Sequence, residues 1–259
     1  MKGKMKKTCL LMALAMVLIA ACALAETAAT PIYECGDFTY VILDDHTVQI
    51  VDWEGTVTDL QVPGELDGLR VTGISEYAFY GCDSLTSIIL PEGLKEIGDN
   101  AFCGCEGLTE IHLPLSITSI GANPFAGCAN MTFISVSQNH PYLEIVDGVL
   151  FSKPDKRLIC FPAGNSAESY TVPEGVVRIG EMAFQKDLYL ESVVLPESLC
   201  YIGKDAFMGC EALQSMTVPA GVSEIGEGAL DRCSRLVLQT APDTFGARYA
   251  FQNGLADAG

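Results

Sequence analysis

A chain of 259 residues with 49% hydrophobic and 19% charged content holds ample material for a core and falls outside the intrinsically disordered class. Its 15 Lys and Arg stand against 33 Asp and Glu, a formal net charge of −18. Four of the cations, Lys2, Lys4, Lys6 and Lys7, lie in the first seven positions, so the remainder stands at −22 and repels nucleic acid and anionic lipid alike.

The chain opens as an export signal. A basic stretch over residues 2–7 precedes an apolar run over residues 10–21, and Ala23-Leu24-Ala25 supplies a small-x-small cleavage site before Glu26. Two other readings compete. Uncleaved, the run would anchor the chain, although it is short for a span. Alternatively, Ile19-Ala20-Ala21-Cys22 spells a lipobox, with Cys22 as the lipid-carrying residue. Each reading takes the chain out of the cytoplasm, and a membrane enters only through such an N-terminal anchor.

Next, residues 38–43 and 48–51 read as a hairpin across Asp44-Asp45, suited to capping the first rung of a stack. The stack itself is written as a repeat. Residues 85–107, 108–130, 190–212 and 213–235 are four copies of 23 residues, and residues 167–189 form a fifth in which Asp187 takes the place of a cysteine. Pro91, Pro114, Pro173, Pro196 and Pro219 align, and so do Phe79, Phe102, Phe125, Phe184 and Phe207. Within one copy, Leu85, Ile88 and Leu90 are spaced for a short strand with one inward face. Pro91 and Gly93 are expected at the second and fourth positions of a type I turn, and Gly98 at a turn with positive φ. Such a unit cannot bury its apolar face alone, so the copies stack around a continuous core. The fold class is mainly β with short turns and helices, a leucine-rich solenoid of about eight rungs.

The period breaks between residues 135 and 166. Residues 148–151 and 158–161 flank a turn at residues 153–156, which reads as a β-hairpin jutting from one edge of the stack. Residues 245–253 read as a short closing helix.

The pattern L-x-x-I-x-L-P-x-x-L/V-x-x-I-G-x-x-A-F-x-x-C, carried by these copies, resembles the BspA-type leucine-rich repeat of bacterial surface proteins. Asp147-Gly148-Val149-Leu150-Phe151 and Gly68-Leu69-Arg70-Val71-Thr72-Gly73-Ile74 are also similar to segments of that family. The resemblance implies an extracellular recognition or adhesin-like role without fixing a ligand. The expected organisation is a signal peptide over residues 1–25 and a linker with capping hairpin over 26–59. The solenoid then spans 60–235, with the insertion near 137–166, and a C-terminal cap covers 236–259.

Nine cysteines remain once Cys9 and Cys22 are assigned to the leader. Five of them, Cys82, Cys105, Cys128, Cys210 and Cys233, share one rung position and read as small buried hydrophobes, while a bridge from Cys103 to a neighbouring rung stays open. Their spacing is the period itself and offers no CxxC pair, so no metal site is expected. His46, His112 and His140 are scattered, and the sequence carries no nucleophile elbow, phosphate-binding glycine loop or HExxH. Neither catalysis nor a cofactor is therefore expected.

The outward strand positions form the candidate binding face. One column holds Ser87, Glu110, Phe133, Ser169, Ser192 and Ser215; the other holds Ile89, His112, Ser135, Thr171, Val194 and Thr217. Phe133 either stands on this floor as its large aromatic or packs under the hairpin insertion. An extracellular protein or glycan is the expected partner of the face. The alternative is an envelope scaffold or lipoprotein without a specific ligand.

Overall fold

The structure, a computed structural model, describes residues 30–256. The expected leader with its cleavage site, and Cys22 as the candidate lipid carrier, lie outside the described residues. Ile32–Gly259 forms one compact unit, which holds every element of the solenoid.

The first three strands, β1 (Ile32–Cys35), β2 (Phe38–Ile42) and β3 (Val48–Trp53), form an antiparallel meander. The expected hairpin is thus present, with β1 added in front of it. From β3 the chain begins to wind. It lays down β4 (Asp59–Gln61), a two-residue β5 (Glu65–Leu66), β6 (Leu69–Ile74), β7 (Ser87–Ile89), β8 (Glu96–Ile97), β9 (Glu110–Leu113), β10 (Ser119–Ile120) and β11 (Phe133–Val136). A second antiparallel meander comes next, made of β12 (Leu143–Val146), β13 (Val149–Ser152) and β14 (Arg157–Cys160). Winding then resumes through β15 (Ser169–Thr171), β16 (Arg178–Ile179), β17 (Ser192–Val194), β18 (Tyr201–Ile202), β19 (Ser215–Val218), β20 (Glu224–Ile225) and β21 (Val237–Thr240). Helix α1 (Phe245–Gln252) closes the last rung, its first turn capped by Thr244, whose hydroxyl accepts from Ala247 N at 3.2 Å.

Parallel pairing joins β3-β6-β8-β10 on one face and, in the second half, β14-β16-β18-β20. The opposite face carries β4-β7, β9-β11 and β15-β17-β19-β21. Each rung gives one strand to each face, so the solenoid has eight rungs in two sets of four.

Between the faces runs an aromatic column. Trp53, Phe79, Phe102 and Phe125 succeed one another at centroid distances of 5.8, 5.1 and 5.7 Å. In the second half Phe161, Phe184 and Phe207 stack at 5.2 and 4.6 Å. All of these rings are buried, and their mutual contacts, stacked except for the tilted Trp53–Phe79 pair, add to the apolar area they remove from water.

The structure corrects four expectations. The hairpin does not jut. Its residues 149–151 and 158–161 form a nearly unbroken apolar run, which a projecting hairpin would leave in water; instead β14 pairs with β16 and becomes the fifth rung. The core is not continuous either. Leu150 and Ile159 belong to one buried cluster, whereas Val149, Phe151, Leu158 and Phe161 belong to a second, so the meander is a wall with a core on each side.

The other two corrections are local. Pro91 opens its turn rather than taking the second place, since Leu94 N donates to Pro91 O at 3.0 Å, and Val222 N does the same to Pro219 O. Gly98 is needed for a close approach and not for positive φ. A Cβ there would stand 2.5 Å from Glu76 N of the rung before. The left-handed residues of that rung are instead Asn100, at φ 54°, and Gly104, at φ 73°.

Candidate functional site

The outward columns are laid out by strand register. On the first half Glu110 pairs with Phe133 and His112 with Ser135. On the second, Ser169, Ser192 and Ser215 align in one column and Thr171, Val194 and Thr217 in the other. Period-2 alternation explains why these residues face out: Ile111, Ile134, Tyr170, Val193 and Met216 between them are buried.

Glu110, His112, Ser169, Thr171 and Thr217 are exposed, while Ser87, Ser135, Ser192 and Ser215 are half-buried. Three apolar side chains stand in water: Ile89 at 60%, Phe133 at 55% and Val194 at 54% of full exposure. Phe133 therefore lies on the floor and not under the insertion. The expected single floor, however, is broken. β4-β7 and β9-β11 are separate ladders from β15-β17-β19-β21, so Phe133 and Ser169 stand on different sheets.

His112 is held across rungs. Its Nδ1 lies 3.0 Å from Ser135 Oγ and its Nε2 3.3 Å from Ser137 Oγ, so both ring nitrogens are engaged while the ring stays exposed. The imidazole is thus positioned beside Phe133 and Glu110 instead of rotating freely in solvent.

Sequence periodicity missed four positions of the columns. Asp59 and Gln61 pair with Ser87 and Ile89, and Val237 and Gln239 pair with Ser215 and Thr217. The first pair of strands is offset by 28 residues and the last by 22, so neither end aligns by the 23-residue period. Thr217 Oγ1 donates to Gln239 Oε1 at 3.0 Å, which ties the last two rungs together on this face.

Comparison with known proteins gives the lineage. The profile of the BspA type leucine-rich repeat region matches in six copies over residues 68–152 and 158–254. The chain belongs to the BspA-type leucine-rich repeat family. No functionally curated protein matches it. Among solved structures it is similar to the leucine-rich repeat protein of T. pallidum, with 28% identity, 80% of this chain and 81% of that one covered, and a TM-score of 0.45. A leucine-rich repeat protein of Eubacterium ventriosum shares 19% identity over 83% and 73% of the two chains at a TM-score of 0.54. The pneumococcal vaccine antigen PcpA shares 17% over 83% and 82% at 0.49.

In this BspA-type chain the cysteine column does more than fill space. Cys105 Sγ donates to Phe79 O at 3.0 Å, Cys128 Sγ to Phe102 O at 3.2 Å, Cys210 Sγ to Phe184 O at 3.0 Å and Cys233 Sγ to Phe207 O at 3.1 Å. Each thiol adds a hydrogen bond to the carbonyl of the aromatic residue one rung back, at Phe102, Phe184 and Phe207 beside a backbone amide, a role that reading it as a small hydrophobe does not include. Hydrogen bonding to Cys128 pushes the Cys105 thiol up to about 12, and burial pushes Cys233 to about 11, so neither is a thiolate at neutral pH. No disulfide joins any of the nine described cysteines, Cys103 included.

His140 serves the seam between the halves. Its buried ring accepts at Nδ1 from Tyr142 N (3.2 Å) and Leu143 N (3.0 Å), which leaves Nε2–H to donate to Pro114 O at 3.2 Å. Burial lowers its pKa, so the ring is neutral. Among the described residues no group of three or more His, Cys, Asp or Glu is arranged to hold a metal ion. Two shallow cavities lie away from the columns. One of about 240 Å³ sits between the last rung and α1, beside Cys233 and Tyr249, and one of about 200 Å³ at the seam is lined by Ser119, Tyr142, Asp155 and Arg157.

Proposed function

We propose that this BspA-type chain is an exported, non-catalytic recognition module whose outward strand face binds an extracellular protein or glycan. The carrying observation is the first-half strip. There an exposed aromatic, Phe133, an exposed aliphatic, Ile89, a carboxylate, Glu110, and a serine-held imidazole, His112, converge on strands of a rigid stack. Aromatic anchors ringed by polar groups dominate contact energies, and a rigid scaffold presents them at low entropic cost. The export signal at the start of the sequence supports an extracellular setting, and the polar columns suit a broad contact strengthened by avidity. Residues 26–259, immobilised and exposed to purified extracellular-matrix proteins and glycans, should retain at least one of them saturably. Uniform tolerance of every outward-column substitution, with no ligand retained, would favour a scaffold.

A further inference from the structure

In the second half the thiol column lacks its cysteine in two rungs, with Gly164 in the fifth and a carboxyl side chain in the sixth. Asp187 occupies the cysteine position of the sixth rung and is fully buried, as Cys105 and Cys210 are in theirs. Its Oδ1 accepts from Tyr189 N at 2.9 Å and Leu190 N at 2.7 Å. Its Oδ2 is buried with no hydrogen-bond partner among the described residues. In the neighbouring rungs the atom at this point is a donor to the aromatic carbonyl one rung back. For Asp187 that carbonyl is Phe161 O, to which no backbone amide of the described residues donates.

The two amides at Oδ1 suit either form of the carboxyl and by themselves favour the carboxylate, whereas a buried Oδ2 without a donor, in column with a carbonyl that lacks one too, favours the acid. The titratable group facing Asp187 from the next rung is the Cys210 thiol, itself neutral and raised in pKa chiefly by burial. Lys186, its neighbour in sequence, is exposed, and its ammonium lies toward Gly127 and Cys103. Among the described residues no cation is therefore placed against Oδ2.

We propose that Asp187 is carried as the neutral acid, with Oδ2–H donating to Phe161 O in place of the column thiol, and that its ionisation loosens the start of the second half as pH rises. The desolvation that raises the pKa of Asp187 acts in the same direction. A carboxyl whose pKa is higher folded than unfolded contributes stability in full below the unfolded value, and that contribution is lost as pH rises through the folded value. Most paired carboxylates give the opposite slope. Asp187 thus makes this stack sensitive to alkali at one rung.

Thermal melts of the full chain from about pH 5 to about pH 9 test this, comparing wild type with Asp187→Asn, which keeps a donor at this position but cannot ionise, and with Asp187→Cys, which restores the column. Titrations shared by the three proteins cancel in the differences. Wild type should lose about 3–5 °C relative to both variants for each tenfold of differential proton affinity. Infrared difference spectra at neutral pH should contain a protonated-carboxyl stretch that Asp187→Asn removes. A melting profile parallel to those of the variants, or no such stretch, would overturn the proposal. Should Asp187→Asn fail to fold, the Asp187→Cys comparison and the wild-type infrared titration still decide it.

Discussion

The two halves of the solenoid, Ile32 to Ser137 and Leu143 to Ala256, are built alike and dressed differently. Each begins with a three-stranded antiparallel meander whose last strand becomes the first rung, and each then stacks three further rungs in parallel. Each starts its aromatic column at that same place, with Trp53 in one and Phe161 in the other. A meander solves a common problem. The first rung of a stack has no predecessor to cover its apolar face, and hydrogen-bonded strands supply one. The outward columns do not repeat in this way. The first half presents Glu110, His112 and Phe133, whereas the second presents Ser169, Thr171, Ser192, Val194, Ser215 and Thr217, mostly hydroxyls. Interior positions are fixed by stacking physics in both halves. Surface positions are free to differ, and where they do, recognition is the reason to look for.

The largest expected effect tests whether the halves are equivalent inside. Phe102→Ala and Phe207→Ala each delete a fully buried ring with stacked neighbours and should each cost about 3–5 kcal/mol in urea unfolding. Costs below about 1 kcal/mol at both would show that the column is not core. A large cost in one half alone would mean that the halves unfold separately, and two transitions would then appear in the wild type.

Next come the close approaches between rungs. A Cβ on Gly98 would lie 2.5 Å from Glu76 N, and one on Gly203 would lie 2.6 Å from Glu181 N. Gly98→Ala and Gly203→Ala must push backbone apart and should cost on the order of 1–3 kcal/mol each. Stabilisation by alanine, as at an ordinary flexible glycine, would contradict this reading.

Smaller effects are expected in the thiol column. Cys105→Ala and Cys210→Ala each remove a little volume and the donor to a buried carbonyl, for about 1–2 kcal/mol. Cys→Ser should recover part of this, because the hydroxyl can still donate. Alkylation of the denatured protein counts its thiols, and finding most of them paired would replace the hydrogen-bond account with a covalent one.

Much of this interior is legible in the sequence because the repeat writes it out several times. Five aligned phenylalanines and five aligned prolines locate the rungs without any knowledge of the fold. The insertion is harder. Residues 148–161 show a hairpin's composition, but only their two-sided burial reveals a wall between cores, and no local pattern states what lies on either side. Gly98 misleads for a similar reason: a glycine needed for φ and one needed for space look the same in one dimension. The face columns are readable where the period is strict and lost at both ends. The serine clasp on His112 joins residues 23 and 25 apart, which only the stacked register brings together.

The smallest effect on stability carries the functional comparison. Glu110, His112 and Phe133 changed together to alanine remove exposed side chains from the first-half strip, so the melting temperature should stay within about 2 °C of wild type. Ser192, Val194 and Thr217 changed together to alanine do the same to the second-half strip and serve as the matched control. If recognition lies where the surface is distinctive, the first variant loses ligand retention on an immobilised-protein assay and the second keeps it. Loss in both would spread the contact over the two strips, as avidity across a long face allows. Retention in both would move the contact off the strand face altogether. Phe133 decides most of the outcome: it is the large aromatic of the strip, more than half exposed, and a solvated ring of that kind has no part in the core that would explain it.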